Sequence, residues 1–252
     1  MTASATTLAS TASARIPGEA LILRPAEARG RADFGWLDSR HSFSFGQYFD
    51  PRHMGFSNLR VINDDRVAGG GGFPTHPHKD AEIFSYILDG ALSHEDTMGH
   101  GSTVHAGGVQ YMAAGSGVSH SEFNASDTEP VRFLQVWLMP EISSAEPRYD
   151  VLDIPAESKD GRPSLFLSPD GRGGSLRTNA DARVYAATLG AGQDFTFEVP
   201  EARSAWVQLA RGEVSVNGIA MREGDGLAVT QPGELAFDKG ADAELLIFDL
   251  PA

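Results

Sequence analysis

The segment Leu134–Pro140, which reads LQVWLMP, has the same shape as Leu245–Pro251, which reads LLIFDLP. Both are short, mainly apolar runs that end at proline, a composition typical of buried strands. Strand–turn–strand patterns around Gly90 and Gly212 precede the two segments at comparable distances. We interpret this similarity as a weak internal duplication. It predicts two β-barrels in tandem, joined near residue 141.

Turn residues punctuate the rest of the chain in the same way. The sequence has 28 Gly and 14 Pro, spread between short segments rich in β-branched and aromatic residues. The clearest predicted strands are 81–88, 109–113, 132–139, 204–210, 213–216 and 244–250. No long stretch keeps the 3.6-residue apolar period of a helix. The fold class predicted is therefore all-β, with few short helices.

The chain divides into three predicted parts. Residues 1–15 are mostly Ala, Ser and Thr, with a single Arg, and they lack the basic and apolar regions of a secretory signal. We expect a disordered tail over 1–18, a first barrel over 19–141 and a second over 142–252. The polar, Pro-rich segment 141–172 is predicted to connect the barrels.

Composition excludes several kinds of site. Among 252 residues, 20 Lys+Arg against 34 Asp+Glu give a formal charge of −14, which argues against a surface that binds nucleic acid. The absence of Cys excludes disulfides, thiolate nucleophiles and iron–sulfur clusters, and it is typical of a reducing cytoplasm. Any metal site must use nitrogen and oxygen ligands. The apolar runs are too short to span a bilayer.

The histidines are distributed unevenly, since all 8 occur by residue 120. Two groups stand out, His76-Pro77-His78 and His120-Ser121-Glu122. Side chains at i and i+2 of a strand point to the same face, so each group can direct two ligands into one barrel. Three imidazoles and one carboxylate suit Fe(II), and also Mn, Ni, Co or Cu. Zn is a further candidate. Affinity does not select among these metals, and Fe(II) is the one we expect.

These residues lie in motifs that resemble a known superfamily. Gly71, His76-x-His78, Glu82 and Gly90 resemble the first cupin motif, and Gly115 to His120 with Asn124 resembles the second. The similarity is closer to the pirin family within the cupins, specifically to bacterial pirin-like proteins with quercetin 2,3-dioxygenase activity. The segments that carry it are Trp36–Ser39, His41–Phe45, Met54–Phe56, Leu59–Asp65, Thr75–Asp80 and His120–Glu122.

The resemblance implies a bicupin, two tandem jelly-roll-like cupin barrels, with the metal in the N-terminal one. It places the metal on His76, His78, His120 and Glu122. In cupins generally, a Glu at the position of Glu82 is often a ligand, whereas in pirins the carboxylate after the last His takes that role. Glu82 is therefore expected either to support the ligands from behind or to make a hydrogen bond at the end of a strand. The resemblance also implies a C-terminal barrel without metal, in agreement with its lack of histidine.

The implied chemistry is the opening of a flavonol ring by O2 with release of CO. A metal would acidify the 3-hydroxyl of the flavonol, and Glu122 is the predicted catalytic base as well as a ligand. An aromatic pocket is expected, with Phe43, Phe45, Phe56 and Tyr111 as candidates, although ordinary core packing is the stronger expectation for any one of them.

The remaining histidines are expected to be structural or solvated. His94 either faces the pocket or has a satisfied structural role, the second being favoured. His100 and His105 are expected in solvated loops, and His41 and His53 are assigned no role.

Three functional classes stay open. The first is a metal-dependent dioxygenase that acts on quercetin or a related flavonol or phenol, and we prefer it. The second is a metal- or redox-sensing interaction protein with a protein partner, and the third is a cupin isomerase that uses its metal as a Lewis acid. Oxygen consumption separates the first class from the others. In each case we expect a cytoplasmic protein without direct nucleic acid or membrane binding.

Overall fold

The computed structural model describes residues 14–252. Its strands are β1 (Leu21–Arg24), β2 (Gly30–Asp33), β3 (Leu37–His41), β4 (Leu59–Val67), β5 (Gly72–His78), β6 (Glu82–Asp89), β7 (Ala91–Asp96), β8 (Gly101–His105), β9 (Gly108–Ala113), β10 (Val118–Asn124), β11 (Val131–Leu138), β12 (Arg148–Asp153), β13 (Ser164–Ser168), β14 (Leu176–Arg177), β15 (Arg183–Leu189), β16 (Phe195–Val199), β17 (Arg203–Val216), β18 (Ile219–Arg222), β19 (Gly226–Val229) and β20 (Gly233–Pro251). One short helix, α1 (Ala156–Lys159), and the 3₁₀ turns Gly18–Ala20, Ala26–Ala28 and Arg172–Gly174 complete the regular structure of these residues. The prediction of an all-β chain with few short helices is confirmed.

The described strands form three sheets. A seven-stranded sheet has the order β12-β9-β6-β11-β4-β3-β2, and a four-stranded sheet has the order β5-β10-β7-β8. The third sheet has nine strands, with the order β1-β19-β17-β20-β15-β13-β14 and with β16 and β18 paired to β20 and β17. Between residues 14 and 252, no helix is long and apolar enough to cross a membrane.

The seven-stranded sheet is buried on both faces. One face carries Phe84, Tyr86 and Tyr111, which pack with Trp206 and Phe248 of the nine-stranded sheet in the largest apolar cluster of the described chain. Strands β6 and β11 are accordingly buried along almost their whole length instead of alternating with exposed positions. The contact between the two halves of the chain is therefore a core in its own right.

The other face of this sheet packs against the four-stranded sheet, but its interior is not uniformly apolar. One apolar cluster includes Ile87 and Phe133, and another includes Ile83 and Met112. The buried side chains of this sheet also include polar ones, such as Ser85, Gln110 and Gln135. The second half contains instead one continuous apolar cluster, built on residues such as Val207, Leu245 and Ile247. The interior of the first half thus places buried polar side chains next to the four-stranded sheet.

Strand pairing crosses the predicted division at residue 141 in two places. Strand β1, from the beginning of the chain, pairs with β19 in the nine-stranded sheet. Strand β12, which follows residue 141, pairs with β9 in the seven-stranded sheet. The segment 141–172 therefore supplies β12 and β13 to opposite halves as well as connecting them. The domain boundaries 19–141 and 142–252 stay a prediction. In the structure, each half supplies one strand to the main sheet of the other: β1 joins the nine-stranded sheet and β12 joins the seven-stranded sheet.

The end of the predicted disordered tail is ordered against the second half. The Ile16 side chain is buried, and its backbone N–H donates to the carbonyl of Glu234. An apolar side chain with a buried site and a backbone partner explains why this part of 1–18 differs from the expectation. The rest of the predicted tail, residues 1–13, lies outside the described residues.

Strand β17 unites two segments that the sequence predicted as separate strands, 204–210 and 213–216. The predicted turn at Arg211 and Gly212 is a bulged region, where the register with β20 shifts. Gly212 has φ of 69°, and an added Cβ would lie 2.3 Å from the Ala241 carbonyl oxygen. Glycine allows the two strands to bend there without separating.

Candidate metal centre

Strands β5 and β10 bring together the three histidines that the sequence singled out. His76 and His78 lie two residues apart on β5, and His120 lies directly opposite His76 in the antiparallel register of β10. Their ligand atoms all lie within 4.8 Å of one another. The i, i+2 spacing explains why both histidines of β5 point to the same side as His120.

Hydrogen bonds set which ring nitrogen of two histidines carries the proton. The Nδ1–H of His76 donates to the carbonyl of Pro74 at 2.8 Å. His94 donates from Nε2 to Asp96 at 3.2 Å, so its Nδ1 is the acceptor for the Nδ1–H of His120 at 3.4 Å. The Nε2 atoms of His76 and His120 consequently both hold lone pairs.

These two lone pairs indicate a cation site. The Nε2 atoms of His76 and His120 are 3.1 Å apart. Two nitrogens bound at right angles to one ion at ~2.1 Å would be separated by ~3.0 Å. Burial, assisted by the neighbouring imidazoles, lowers the pKa of His78 to about 4 and that of His120 to about 3. Both rings are neutral at pH 7, the form that binds metal, so the residues fit a divalent metal ion.

Glu122 lies beside this cluster on the same face of β10. Its buried carboxylate accepts hydrogen bonds from Ser85 at 3.2 Å, from Gln135 at 2.9 Å and from Gln110. Burial raises its pKa to about 7. His120 and Glu122 line one small void of about 10 Å³. Among the described residues, the cluster of close ligand atoms contains the three histidines but not Glu122. The role of Glu122 as a metal ligand therefore stays a prediction.

Glu82 has a different environment, which ties the two halves together. Its carboxylate accepts hydrogen bonds from Thr178 at 3.0 Å, from the backbone N–H of Asn179 at 2.9 Å, from the Asn179 side chain at 3.1 Å and from Tyr111. Two of these partners are in the second half of the chain. The arrangement agrees with the supporting hydrogen bond expected for Glu82.

We therefore expect Glu82→Ala to lower stability and leave metal binding intact. Without the carboxylate, several buried donors have no acceptor. This loss should lower the free energy of unfolding by roughly 2–4 kcal/mol. Denaturant unfolding and metal analysis of the same sample measure the two effects. Loss of the metal from folded Glu82→Ala protein would instead transfer the ligand role from Glu122 to Glu82.

A hydrogen-bonded chain runs from His120 away from the cluster. His94 is buried, accepts from His120 and stacks on Tyr149 with ring centroids 4.0 Å apart. Asp96 accepts from His94 and from the exposed His100, both at 3.2 Å. His94 thus has the satisfied structural role favoured from sequence, and it also fixes the ring of His120. Partners of this kind orient metal ligands in many proteins.

His94→Phe is expected to weaken metal binding about 10- to 100-fold without preventing it, because Phe preserves the stacking on Tyr149 but cannot accept from His120. Competition with a chelator measures the affinity. His100→Phe is the matched control, since His100 shares Asp96 but is exposed and belongs to the other end of the chain of hydrogen bonds. Equal affinities in His94→Phe and wild type would contradict the positioning role.

His76 and His78 also line a cavity of about 820 Å³, within the range of sites for small aromatic molecules. Its aromatic lining residues are Phe34, Phe45, Tyr48, Phe73 and Trp137. Trp137 meets His78 edge to face, with ring centroids 4.9 Å apart. The cavity therefore joins the histidine cluster to a surface suited to flat rings.

The expected aromatic pocket is present, but most of its proposed residues are elsewhere. Phe45 lines the cavity, whereas Phe43 and Tyr111 belong to the core between the halves and Phe56 packs against that core. Phe43 contacts Trp206 at a centroid distance of 4.9 Å. Aromatic character alone does not reveal which face of β9 the Tyr111 side chain takes, since that strand is buried on both sides. Phe43 and Phe56 lie in the segment between β3 and β4, which has no strand periodicity to indicate a direction.

Sequence reasoning missed a polar strip on the cavity wall, formed by Ser39, His41, Asn63, Asp65 and Gln135. His41, to which the sequence assigns no role, is buried, and its Nδ1–H donates to the side-chain Oδ1 of Asn63 at 2.7 Å. These residues alternate on β3, β4 and β11 and pair across the strands. Such period-2 polar positions inside apolar strands were the signal available in the sequence.

Two packed β-halves, the first of which encloses a three-histidine cluster, define a metal-binding bicupin. Family models give the same assignment: the model described as Pirin matches residues 23–138, and the quercetinase C-terminal cupin domain matches residues 165–250. The chain belongs to the pirin family. The predicted family and bicupin fold are confirmed.

Individual relatives cover nearly the whole chain. A quercetin 2,3-dioxygenase from Escherichia coli K12 is 44% identical over 231 residues, 92% of this chain and 99% of its own length. A pirin-like protein from Caulobacter vibrioides is 37% identical over 90% of this chain and 97% of its own. The crystal structure of the bacterial pirin YhhW from Escherichia coli, in complex with nickel(II), is 43% identical, with a TM-score of 0.87 over 92% of this chain and 99% of that one. The predicted kinship with quercetin 2,3-dioxygenases is confirmed.

Proposed function

We propose that this pirin is a metal-dependent dioxygenase that opens the heterocyclic ring of quercetin or a related flavonol with O2 and releases CO. The observation that carries the proposal is the position of His76 and His78, which belong both to the three-histidine cluster and to the aromatic-lined cavity. A ligand in this cavity would lie beside the metal site. The relatives named quercetin 2,3-dioxygenase support the same substrate class.

The chain's own residues have distinct roles in this proposal. His76, His78, His120 and Glu122 would hold the metal, which when bound lowers the pKa of the flavonol 3-hydroxyl and orients the reactants. Glu122 is proposed to accept the proton of that hydroxyl, since it is a carboxylate two residues from His120 on the same strand. The aromatic lining of the cavity holds the flat rings and excludes water. Both oxygen atoms of O2 enter the ring-opened product, and one ring carbon leaves as CO.

Fe(II) is the metal we propose, with Mn, Ni, Co, Cu and Zn as the alternatives. Neutral imidazoles and a carboxylate suit each of these ions, and their affinities at such a site rise in a common order. The nickel complex of the related YhhW supports a divalent metal as the bound ion. Reloading the protein with each metal separately is therefore part of the functional test.

The test is oxygen uptake by metal-free protein reloaded with Fe(II) and given quercetin, with CO assayed in the same vessel. Equal amounts of O2 consumed and CO released are expected. Parallel samples reloaded with Ni(II), Mn(II), Co(II), Cu(II) or Zn(II) identify the active metal. Metal-loaded protein that consumes no O2 with any of these ions would contradict the proposal and favour the interaction or isomerase class.

We further propose a cytoplasmic protein whose partners are O2 and a small aromatic substrate. The lack of Cys suits a reducing compartment, and a net charge of −14 disfavours binding to nucleic acid. A pull-down of the metal-loaded protein in its oxidised and reduced forms tests for a protein partner of the regulatory kind.

A further inference from the structure

The polar strip on the cavity wall contains an acceptor with no visible partner. Ser39 is the neighbour of Asp65 across β3 and β4, and Asn63 is the neighbour of Gln135 across β4 and β11. The amide of Gln135 donates to Glu122, and Asn63 accepts from His41. Asp65 differs, since its Oδ1 is buried without a hydrogen-bond partner.

An unpartnered oxygen is unusual here because Asp65 is only 2% exposed. The adjacent Asp64 is neutralised by Arg132 at 2.9 Å and Arg29 at 3.5 Å, and Asp64 belongs to the alternate face of β4. Burial raises the pKa of Asp65 to about 7. A hydrogen bond with the Ser39 side chain opposes this rise, and the charges of Asp64 and Glu122 add to it. A buried carboxyl oxygen without a partner is costly, so native proteins keep one where function requires it.

The cavity also contains an unpaired donor. Trp137, which lines the same cavity and contacts His78, has a buried indole N–H without a partner. Asp65 lines this cavity, and rotation about its Cβ–Cγ bond exchanges its two oxygens. A ligand that brings a hydroxyl group to this wall would supply the missing donor.

We propose that Asp65 is a specificity-determining residue that accepts a hydrogen bond from a phenolic hydroxyl of the substrate remote from the metal. The inference rests on the proposed function and deepens it, because it makes polyhydroxylated flavonols the preferred class. A site built to bond a hydroxyl discriminates strongly against an analogue that lacks it. A cavity that bound its ligand by aromatic stacking alone would bind the hydroxylated flavonol and its analogue with almost equal affinity.

The test compares the binding of quercetin and 3-hydroxyflavone to Fe(II)-loaded protein by calorimetry without oxygen. Both ligands have the 3-hydroxyl group, but only quercetin has further phenolic hydroxyl groups on its rings. Wild type is expected to prefer quercetin by about tenfold or more, and Asp65→Ala should lose most of that preference while binding 3-hydroxyflavone within about twofold of wild type. Asp65→Asn, which is nearly isosteric and keeps one acceptor, should show a smaller loss.

Asp194→Ala and Asp194→Asn are the matched controls, since Asp194 is an exposed carboxylate in the second half. Their affinities for both ligands should equal those of wild type. Equal weakening of both ligands in the Asp65 variants, an unchanged preference, or the absence of any preference in wild type would overturn the inference. Binding is measured without turnover. If the protein prefers quercetin as expected but consumes no O2, the result contradicts the dioxygenase proposal and leaves the role of Asp65 in binding unaffected.

Discussion

Replacing His120 with alanine is expected to abolish both metal retention and oxygen uptake. His120 contributes one of the two Nε2 atoms that face each other at 3.1 Å, and it lies between His76 on one side and His94 on the other. Alanine removes the ligand and breaks the chain of hydrogen bonds that orients it. Metal affinity should fall by more than ~100-fold, beyond the effect of losing an orienting partner alone. Metal analysis after gel filtration measures the loss, and oxygen electrode traces measure the activity.

His105→Ala is the control for this change. It is the same substitution at an exposed histidine at the end of β8, outside the cluster of ligand atoms. It should keep the wild-type metal content and rate. Thermal unfolding of the metal-free proteins shows whether His120→Ala has folded. Folded His120→Ala protein that still retains one metal per chain would show that the ligand set has been assigned incorrectly.

Glu122→Gln is expected to separate metal binding from turnover. An amide keeps an oxygen for the metal but cannot accept the proton of the 3-hydroxyl at neutral pH. Turnover should fall about 10²- to 10⁴-fold, the usual contribution of a positioned base, while much of the metal is retained. Steady-state oxygen uptake and metal content of the same sample measure the two effects. Unchanged turnover would eliminate the base role.

The local environment of Glu122 makes a stability control necessary. Ser85, Gln110 and Gln135 all donate to the carboxylate, and a glutamine amide would place its own N–H groups near these donors. A lower thermal unfolding temperature is expected for metal-free Glu122→Gln. Glu129→Gln, at an exposed position, should change neither stability nor turnover. Rates should be compared only below the unfolding transition of the variant.

The histidine cluster was predictable from sequence because its geometry is mostly local. The i, i+2 spacing of His76 and His78 fixes their common face, and glycine-flanked strands return the chain to the same wall. The residues of the cavity wall were harder to predict from sequence. Asp65 and Gln135 lie in strands whose neighbours are buried on both faces, so the pattern of hydrophobicity does not indicate which face encloses the site.

The strand exchange could not be predicted for a different reason. Strand β1 contacts β19, which is distant in sequence, and no local pattern specifies so remote a partner. Likewise, the segment around Arg148 has the polar composition of a linker, although it pairs with β9 residue by residue. Pairing energy gained from an open sheet edge outweighs weak local propensity in such segments.

The exchange has a consequence for synthesis on the ribosome. Arg24 pairs with Gly226, so the first strand must wait for a partner encoded roughly 200 codons later. At the usual elongation rate of about 5–20 residues per second, that delay is roughly 10–40 s. During this interval the nascent chain holds an unpaired strand, which is a natural substrate for a chaperone. Completion of the second half near the end of translation would end that exposure.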